Sequence, residues 1–153
     1  MFTRYGMDVT VAHPKEFPLM PEIVKTAKEN ASECGGSLRF VDDMDEGFEG
    51  AHVVIPKNWG GFAGLNSWTD DDEHKKQMKA NLDKYKDWIC DRRRMELADK
   101  DVKYMHALPA DRGNEVTDEV IDDEKWSIIY DEAENRLHTA KAIMALTMGG
   151  VKK

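Results

Sequence analysis

The sequence predicts an α/β fold: a three-layer domain with a mainly parallel five-stranded sheet and helices on both faces. Three observations predict it. Short β-rich runs alternate with segments of helical spacing along the chain, the order that parallel pairing with crossover helices produces. The length of 153 residues suits one domain that buries its own core without disulfides or metal. The apolar run ending at Met105 leads into His106, Pro109 and the charged residues Asp111, Arg112 and Glu115, as a buried strand does when its carboxyl end enters a site.

In order along the chain, Gly6 opens a β-rich segment that Pro14 stops, giving the first strand. Residues 18–33 carry Ile23, Ala27 and Ala31 at helical spacing, and Gly35-Gly36 ends that helix. A second strand covers residues 37–41, a short acidic helix residues 43–49, and a nearly all-apolar third strand residues 51–56. The architecture is Rossmann-like, with right-handed crossovers expected. The Gly-x-Gly-x-x-Gly dinucleotide fingerprint does not follow the first strand, which counts against a nucleotide-binding module. Residues 57–68 then form an aromatic, glycine-rich loop with Trp59 and Trp68. Such a loop reads either as a lid over a ligand or as a flap buried on another subunit.

Thr69 caps the next helix, with Met78, Leu82 and Tyr85 on one face. Residues 88–90 read as extended, and Asp91 caps a short helix through Leu97. The fourth strand is expected over residues 102–108, a short helix over 117–121 and the fifth strand over 126–130. Asp131, with Glu134 three residues on, resembles a capping box for the last helix. Along that helix Ala133, Leu137, Ala140, Met144 and Met148 repeat as an apolar stripe. The abrupt first strand reads as a domain cut from something longer.

Composition narrows the function classes. A net charge of −8, from 30 acidic against 22 basic residues, argues against nucleic acid as a partner, because phosphate binding needs a basic face. The run Arg92-Arg93-Arg94 is an anion-binding candidate or an exposed helix face. No apolar run approaches the ~20 residues of a transmembrane helix, and the first residues lack signal-peptide architecture, so no membrane is expected and the setting is read as cytoplasmic. Cys34 and Cys90 suggest neither a disulfide framework nor a metal site. The five histidines lie apart from one another and from cysteines at ligand spacing, so neither a structural zinc nor a cofactor is expected.

The last third carries two motifs in order. His106-Ala107-Leu108-Pro109 is followed by Glu134-Asn135-Arg136-Leu137-His138. These resemble the His-x-Leu-Pro segment and the Glu-Asn-Arg helix start of the aspartate/ornithine carbamoyltransferase family. Residues 5–17 resemble the first strand of that family's second, amino-substrate domain. The resemblance therefore implies that residues 1–153 are a single C-terminal, ornithine-binding type of domain. The carbamoyl-phosphate domain, with its Ser-Thr-Arg-Thr-Arg loop, is not in these residues. It also implies a homotrimer for the full-length enzyme and an isolated chain without activity of its own. Two departures bear on the substrate. Ala107 stands where ornithine enzymes carry cysteine, and Pro56-Lys57-Asn58-Trp59 stands where they carry Asp-x-Trp. The latter version resembles the YgeW-type group of knotted carbamoyltransferases.

The implied reaction transfers the carbamoyl group of carbamoyl phosphate to an amine or amino acid, which needs alignment and oxyanion stabilisation and no covalent nucleophile or metal. The resemblance puts Arg136, at the helix start, beside the carbamoyl oxygen. It makes the carbonyls around Ala107 and Leu108, oriented by Pro109, acceptors for the attacking amine. His106 is either a catalytic group or a residue shaping the strand end. Arg136 has an alternative as a helix ion pair with Glu132. Lys57, Asn58 and Trp59 are substrate contacts or part of a flap on another subunit. A competing reading from a different class is a non-catalytic α/β module that binds a small amino acid or anion.

Overall fold

The computed structural model describes residues 1–59, 76, 79–80 and 83–149. The rest of the aromatic loop, from Gly60 to Trp68, and Thr69, Met78 and Leu82 of the helix expected after it lie outside the described residues. The chain divides into two compact units, one built from residues 1–51 and 59–88, the other from residues 52–58 and 89 onward.

In the first unit, β1 (Asp8–Ala12) pairs in parallel with β2 (Ser37–Val41), in a register that runs from Asp8↔Ser37 to Ala12↔Val41. The crossover is α1 (Pro21–Cys34), which begins on a proline, where a missing N–H removes nothing, and ends at Gly35 with φ 77°. The glycine pair after it is required twice over. Gly35 takes the left-handed turn, and a Cβ on Gly36 would lie 2.4 Å from the Met7 carbonyl oxygen. A short α2 (Met44–Phe48) follows, capped by the Asp43 carboxylate accepting from the Asp45 amide at 2.7 Å, and it buries Phe48.

The second unit holds most of the buried apolar side chains among the described residues, the first unit contributing Pro14, Ala31 and Phe48. Its strands β3 (Val53–Val54) and β4 (Lys103–Tyr104) are parallel, with Val54 opposite Tyr104. On its other side Tyr104 bridges Ser127, through Tyr104 N–H to the Trp126 carbonyl at 2.7 Å and Ile128 N–H to the Tyr104 carbonyl at 3.1 Å. A further bridge joins Cys90 to Val116. Two short helices, α3 (Arg92–Met95), capped by Asp91, and α4 (Asp118–Ile121), contribute Met95, Val120 and Ile121 to the core around Cys90, Val102, Tyr104, Val116 and Trp126.

The α/β class and the parallel pairing are present, but a five-stranded sheet is not formed among the described residues. The described strands form two separate two-stranded sheets, and the expected fifth strand contributes the single bridge at Ser127. The third strand stops before Pro56, which has no N–H to give a ladder. The fourth is two residues long because the amides after Met105 turn to side-chain acceptors, described below. The fifth gives way to helix: α5 (Ile129–Met148) starts at Ile129, with Ile128 at the cap position and no side-chain cap. Asp131 therefore lies inside the first turn, where its charge suits the helix dipole, and the capping box does not form. The apolar stripe of α5 is also not core. Leu137 is 60%, Met144 56% and Met148 77% exposed, and Ile129 is the helix's buried residue.

Candidate active site at the end of the fourth strand

All the elements of the candidate site in the second unit meet at one sheet edge. Because β3 and β4 run parallel with Val54 opposite Tyr104, Lys57 and Asn58 follow the carboxyl end of one strand and residues 106–109 follow that of its neighbour. The bridge from Tyr104 to Ser127 brings the start of α5 to that edge as well. This is the edge at which parallel sheets receive ligands. Lys57, Asn58, Ala107, Leu108 and Pro109 are all exposed there, whereas His106 is 6% exposed.

Three backbone amides past the strand are diverted to side-chain acceptors. The His106 N–H donates to Glu132 Oε2 at 2.9 Å, the Leu108 N–H to His106 Nδ1 at 2.9 Å, and the Asp111 N–H to Glu115 Oε1 at 2.7 Å. Pro109 has no N–H to place. Leu108 sits at φ 55°, in the left-handed region that an L-residue occupies at a cost of roughly 1–2 kcal/mol, and the peptide to Pro109 is cis. A trans peptide sets its N–H and C=O on opposite sides. With the Leu108 N–H turned in, the Ala107 carbonyl points out, and among the described residues neither it nor the Leu108 carbonyl accepts a hydrogen bond.

Arg136 is exposed on the same face of α5 as Glu132, one turn further on, beside Asn135, Thr139, Ala140 and Ile143. Glu132, whose side chain is turned to His106, pins that face to the end of β4. Among the described residues Arg136 has no ion pair, so the helix pair with Glu132 is not made. Arg136 is also not at the helix start. It is the eighth residue of α5, and the dipole's influence falls off within the first turn, so a charge near its guanidinium gains nothing from the helix amides.

The loop that carries these groups is closed by a fork. Arg112 meets both Asp122 carboxylate oxygens at 2.7 Å and Asp118 at 2.8 Å, which pushes its pKa further up and keeps it charged. In the arginine run, Arg92 pairs with Glu119 and Asp123, and Arg94 donates to the Ile89 carbonyl at 2.8 Å. Those two arginines hold the second unit together instead of facing an anion. Burial pushes the Cys90 thiol up to about 12 and the Tyr104 hydroxyl well above its ordinary range, so both stay protonated at neutral pH.

Trp59 belongs to the first unit. Its ring stacks on Tyr85 at 5.4 Å, with the edges of Phe17 and Trp88 at 5.6 and 6.4 Å. The structure places Lys57 and Asn58 in the second unit, after the end of β3, and gives Trp59 an aromatic packing role inside the first unit. Glu115 and Glu132 are the site residues that sequence reasoning missed. Glu132 could have been found from its place one turn before Arg136. Glu115 lies in the charged stretch that the sequence puts at the site, but nothing in that run marks it as the buried, supporting member.

The sequence matches the family described as aspartate/ornithine carbamoyltransferase, Asp/Orn binding domain, over residues 1–147. It is 37% identical to the ornithine carbamoyltransferase of Thermococcus kodakarensis, over 98% of this chain and 44% of that protein. It is 40% identical to the putative carbamoyltransferase YgeW of Escherichia coli K12, over 87% of this chain and 37% of that protein. Its fold is similar to that of an N-acetyl-L-ornithine transcarbamylase mutant complexed with carbamyl phosphate and N-succinyl-L-norvaline, with a TM-score of 0.79 and 39% identity over 94% of this chain and 41% of that one. The chain spans less than half the length of these relatives. On the strength of the family match and these identities, the chain belongs to the aspartate/ornithine carbamoyltransferase family and corresponds to its Asp/Orn binding domain.

Proposed function

We propose that this chain is the amino-substrate-binding half of a carbamoyltransferase, which moves the carbamoyl group of carbamoyl phosphate to an amine or amino acid of the ornithine type. The observation that supports it most directly is the outward Ala107 carbonyl beside a left-handed Leu108, with both carbonyls free of described donors. Such carbonyls accept N–H bonds from an attacking amine and turn its lone pair toward the carbamoyl carbon. The new C–N bond forms as the C–O bond to phosphate breaks, and the departing phosphate takes up the proton that the amine loses. The Arg136 guanidinium, free of carboxylate partners among the described residues, stabilises the negative charge that gathers on the carbamoyl oxygen. His106, buried with Nδ1 engaged by the Leu108 amide, shapes the strand end. Lys57 and Asn58 reach the amino substrate from the neighbouring strand end.

In this reading the carbamoyl phosphate site is completed by a second domain, the full-length enzyme is a cytoplasmic homotrimer, and the chain alone does not turn over. The test is to join the chain to the carbamoyl-phosphate domain of a relative and measure transfer to ornithine and N-acetylornithine. Arg136→Ala is expected to lower kcat by about 10²–10³, the range for loss of one oxyanion donor. Turnover at the parent level would remove Arg136 from the mechanism. A second reading is a non-catalytic module for a small amino acid or anion, which the free Ala107 and Leu108 carbonyls and the Arg136 guanidinium would serve as well. Calorimetry on the chain alone separates the two: micromolar binding, with no transfer by the joined protein, favours the module.

A further inference from the structure

Four buried side-chain polar atoms of the second unit have no hydrogen-bond partner among the described residues, and three of them belong to His106 and its two neighbours: His106 Nε2, Glu115 Oε2 and Tyr104 Oη. Tyr104, fully buried, lies over the imidazole with ring centroids 6.4 Å apart and planes 29° from parallel. Glu115 is 2% exposed, and its Oε1 lies 3.2 Å from His106 Nε2, at hydrogen-bond distance though off its line. Carboxylates this deeply buried are rare unless paired, so the placement of Glu115 against the histidine calls for a role.

The chemistry of the ring supplies one. The Leu108 N–H donates to Nδ1, so Nδ1 presents a lone pair and the ring proton sits on Nε2. Nε2 faces the Glu115 carboxylate, which is an acceptor. Were the proton on Nδ1 instead, two N–H groups would confront each other at 2.9 Å and the Leu108 amide would lose its acceptor. We propose that Glu115 is a positioning residue of this site, whose buried carboxylate fixes His106 as the Nε2-protonated tautomer and through it holds Leu108 left-handed with the Ala107 carbonyl turned outward. Glu115 acts twice in this, since the same Oε1 also takes the Asp111 amide and so anchors the loop on the far side of Pro109. The importance of the outward carbonyl for an amine rests on the function proposed above, while the tautomer and its dependence on Glu115 do not.

The test uses the 153-residue chain with ¹⁵N-labelled histidine. Long-range ¹H–¹⁵N spectra are expected to show His106 with a protonated Nε2 and a bare Nδ1, and hydrogen exchange to show a protected Leu108 amide. Glu115→Gln, which keeps a side-chain oxygen, is expected to retain both. Glu115→Leu is expected to mix the tautomers and speed Leu108 exchange about fivefold, the factor for one hydrogen bond of typical net strength, while the Val120 amide in the core keeps its protection. An Nδ1-protonated or evenly mixed His106 in the parent chain overturns the proposal without any variant. So does a Glu115→Leu protein whose His106 spectrum and Leu108 exchange match the parent's. If the tautomer is as stated but the joined protein transfers no carbamoyl group, the functional reading fails and the positioning role of Glu115 stands.

Discussion

Replacing Glu132 with alanine removes the acceptor of the His106 amide, a bond of 2.9 Å that ties the first turn of α5 to the end of β4. His106 is 6% exposed, so its N–H loses water as well as carboxylate, and a buried donor left unpaired costs about 1–3 kcal/mol. Loss of the first-turn negative charge adds roughly 0.3–1 kcal/mol. The two together give about 1.3–4 kcal/mol, which for a chain of this size lowers Tm by roughly 3–16 °C. Glu132→Gln keeps an oxygen in place and is expected to lose less than half as much. Urea unfolding followed by tryptophan fluorescence measures both, with the slope m unchanged if only the native contact is affected. A Glu132→Ala midpoint equal to the parent's would refute the account of how the strand end is pinned.

Other substitutions probe other parts of the fold. Gly36→Ala puts a Cβ 2.4 Å from the Met7 carbonyl oxygen, a backbone atom that cannot step aside, and is expected to destabilise by about 1–3 kcal/mol in urea unfolding. Gly35→Ala meets open space but a φ of 77°, and is expected to lose about 1 kcal/mol. Asp43→Ala removes the α2 cap and is expected to lose about 0.5–2 kcal/mol in the same assay. Iodoacetamide at mildly alkaline pH is expected to label exposed Cys34 and leave buried Cys90 unlabelled until urea is added. The raised Cys90 pKa also sets a sign. Its thiol titrates near 9 when unfolded and about 12 when folded, so the unfolded chain holds fewer protons in that window and stability falls as pH rises through it. Tyr104 pulls the same way. A urea midpoint that rises with pH over that window would contradict the assignment.

What the sequence makes legible is local. Ser37–Val41 lies between a glycine pair and an acidic cap, and both neighbours announce its ends, so its bounds are read correctly. The strand expected over residues 102–108 is misread because an apolar run does not reveal that Glu132, 26 positions past His106, claims its amide and ends the ladder. The start of the last helix is misread for a related reason: the residues that look β-rich spend one bridge on Tyr104 and then turn helical at Ile129. The site motif around His106 is legible, since proline and histidine after an apolar run are distinctive. Its support is not, because the buried Glu115 and the solvated Asp111 look alike in a charged run, and only burial tells them apart.

The exposure of α5 has a consequence for how the chain melts. Its 20 residues give a length of about 30 Å at 1.5 Å per residue, and beyond Ile129 tertiary packing does little to hold it. Its helicity instead rests on residue type. Ala133, Leu137, Ala140, Lys141, Ala142, Met144, Ala145 and Leu146 are strong helix formers. The helicity of an unpacked helix is length- and temperature-dependent. The far turns should therefore follow a helix–coil equilibrium nucleated at Ile129, seen in far-UV circular dichroism as a shallow loss of ellipticity well below the cooperative transition of the Tyr104 core.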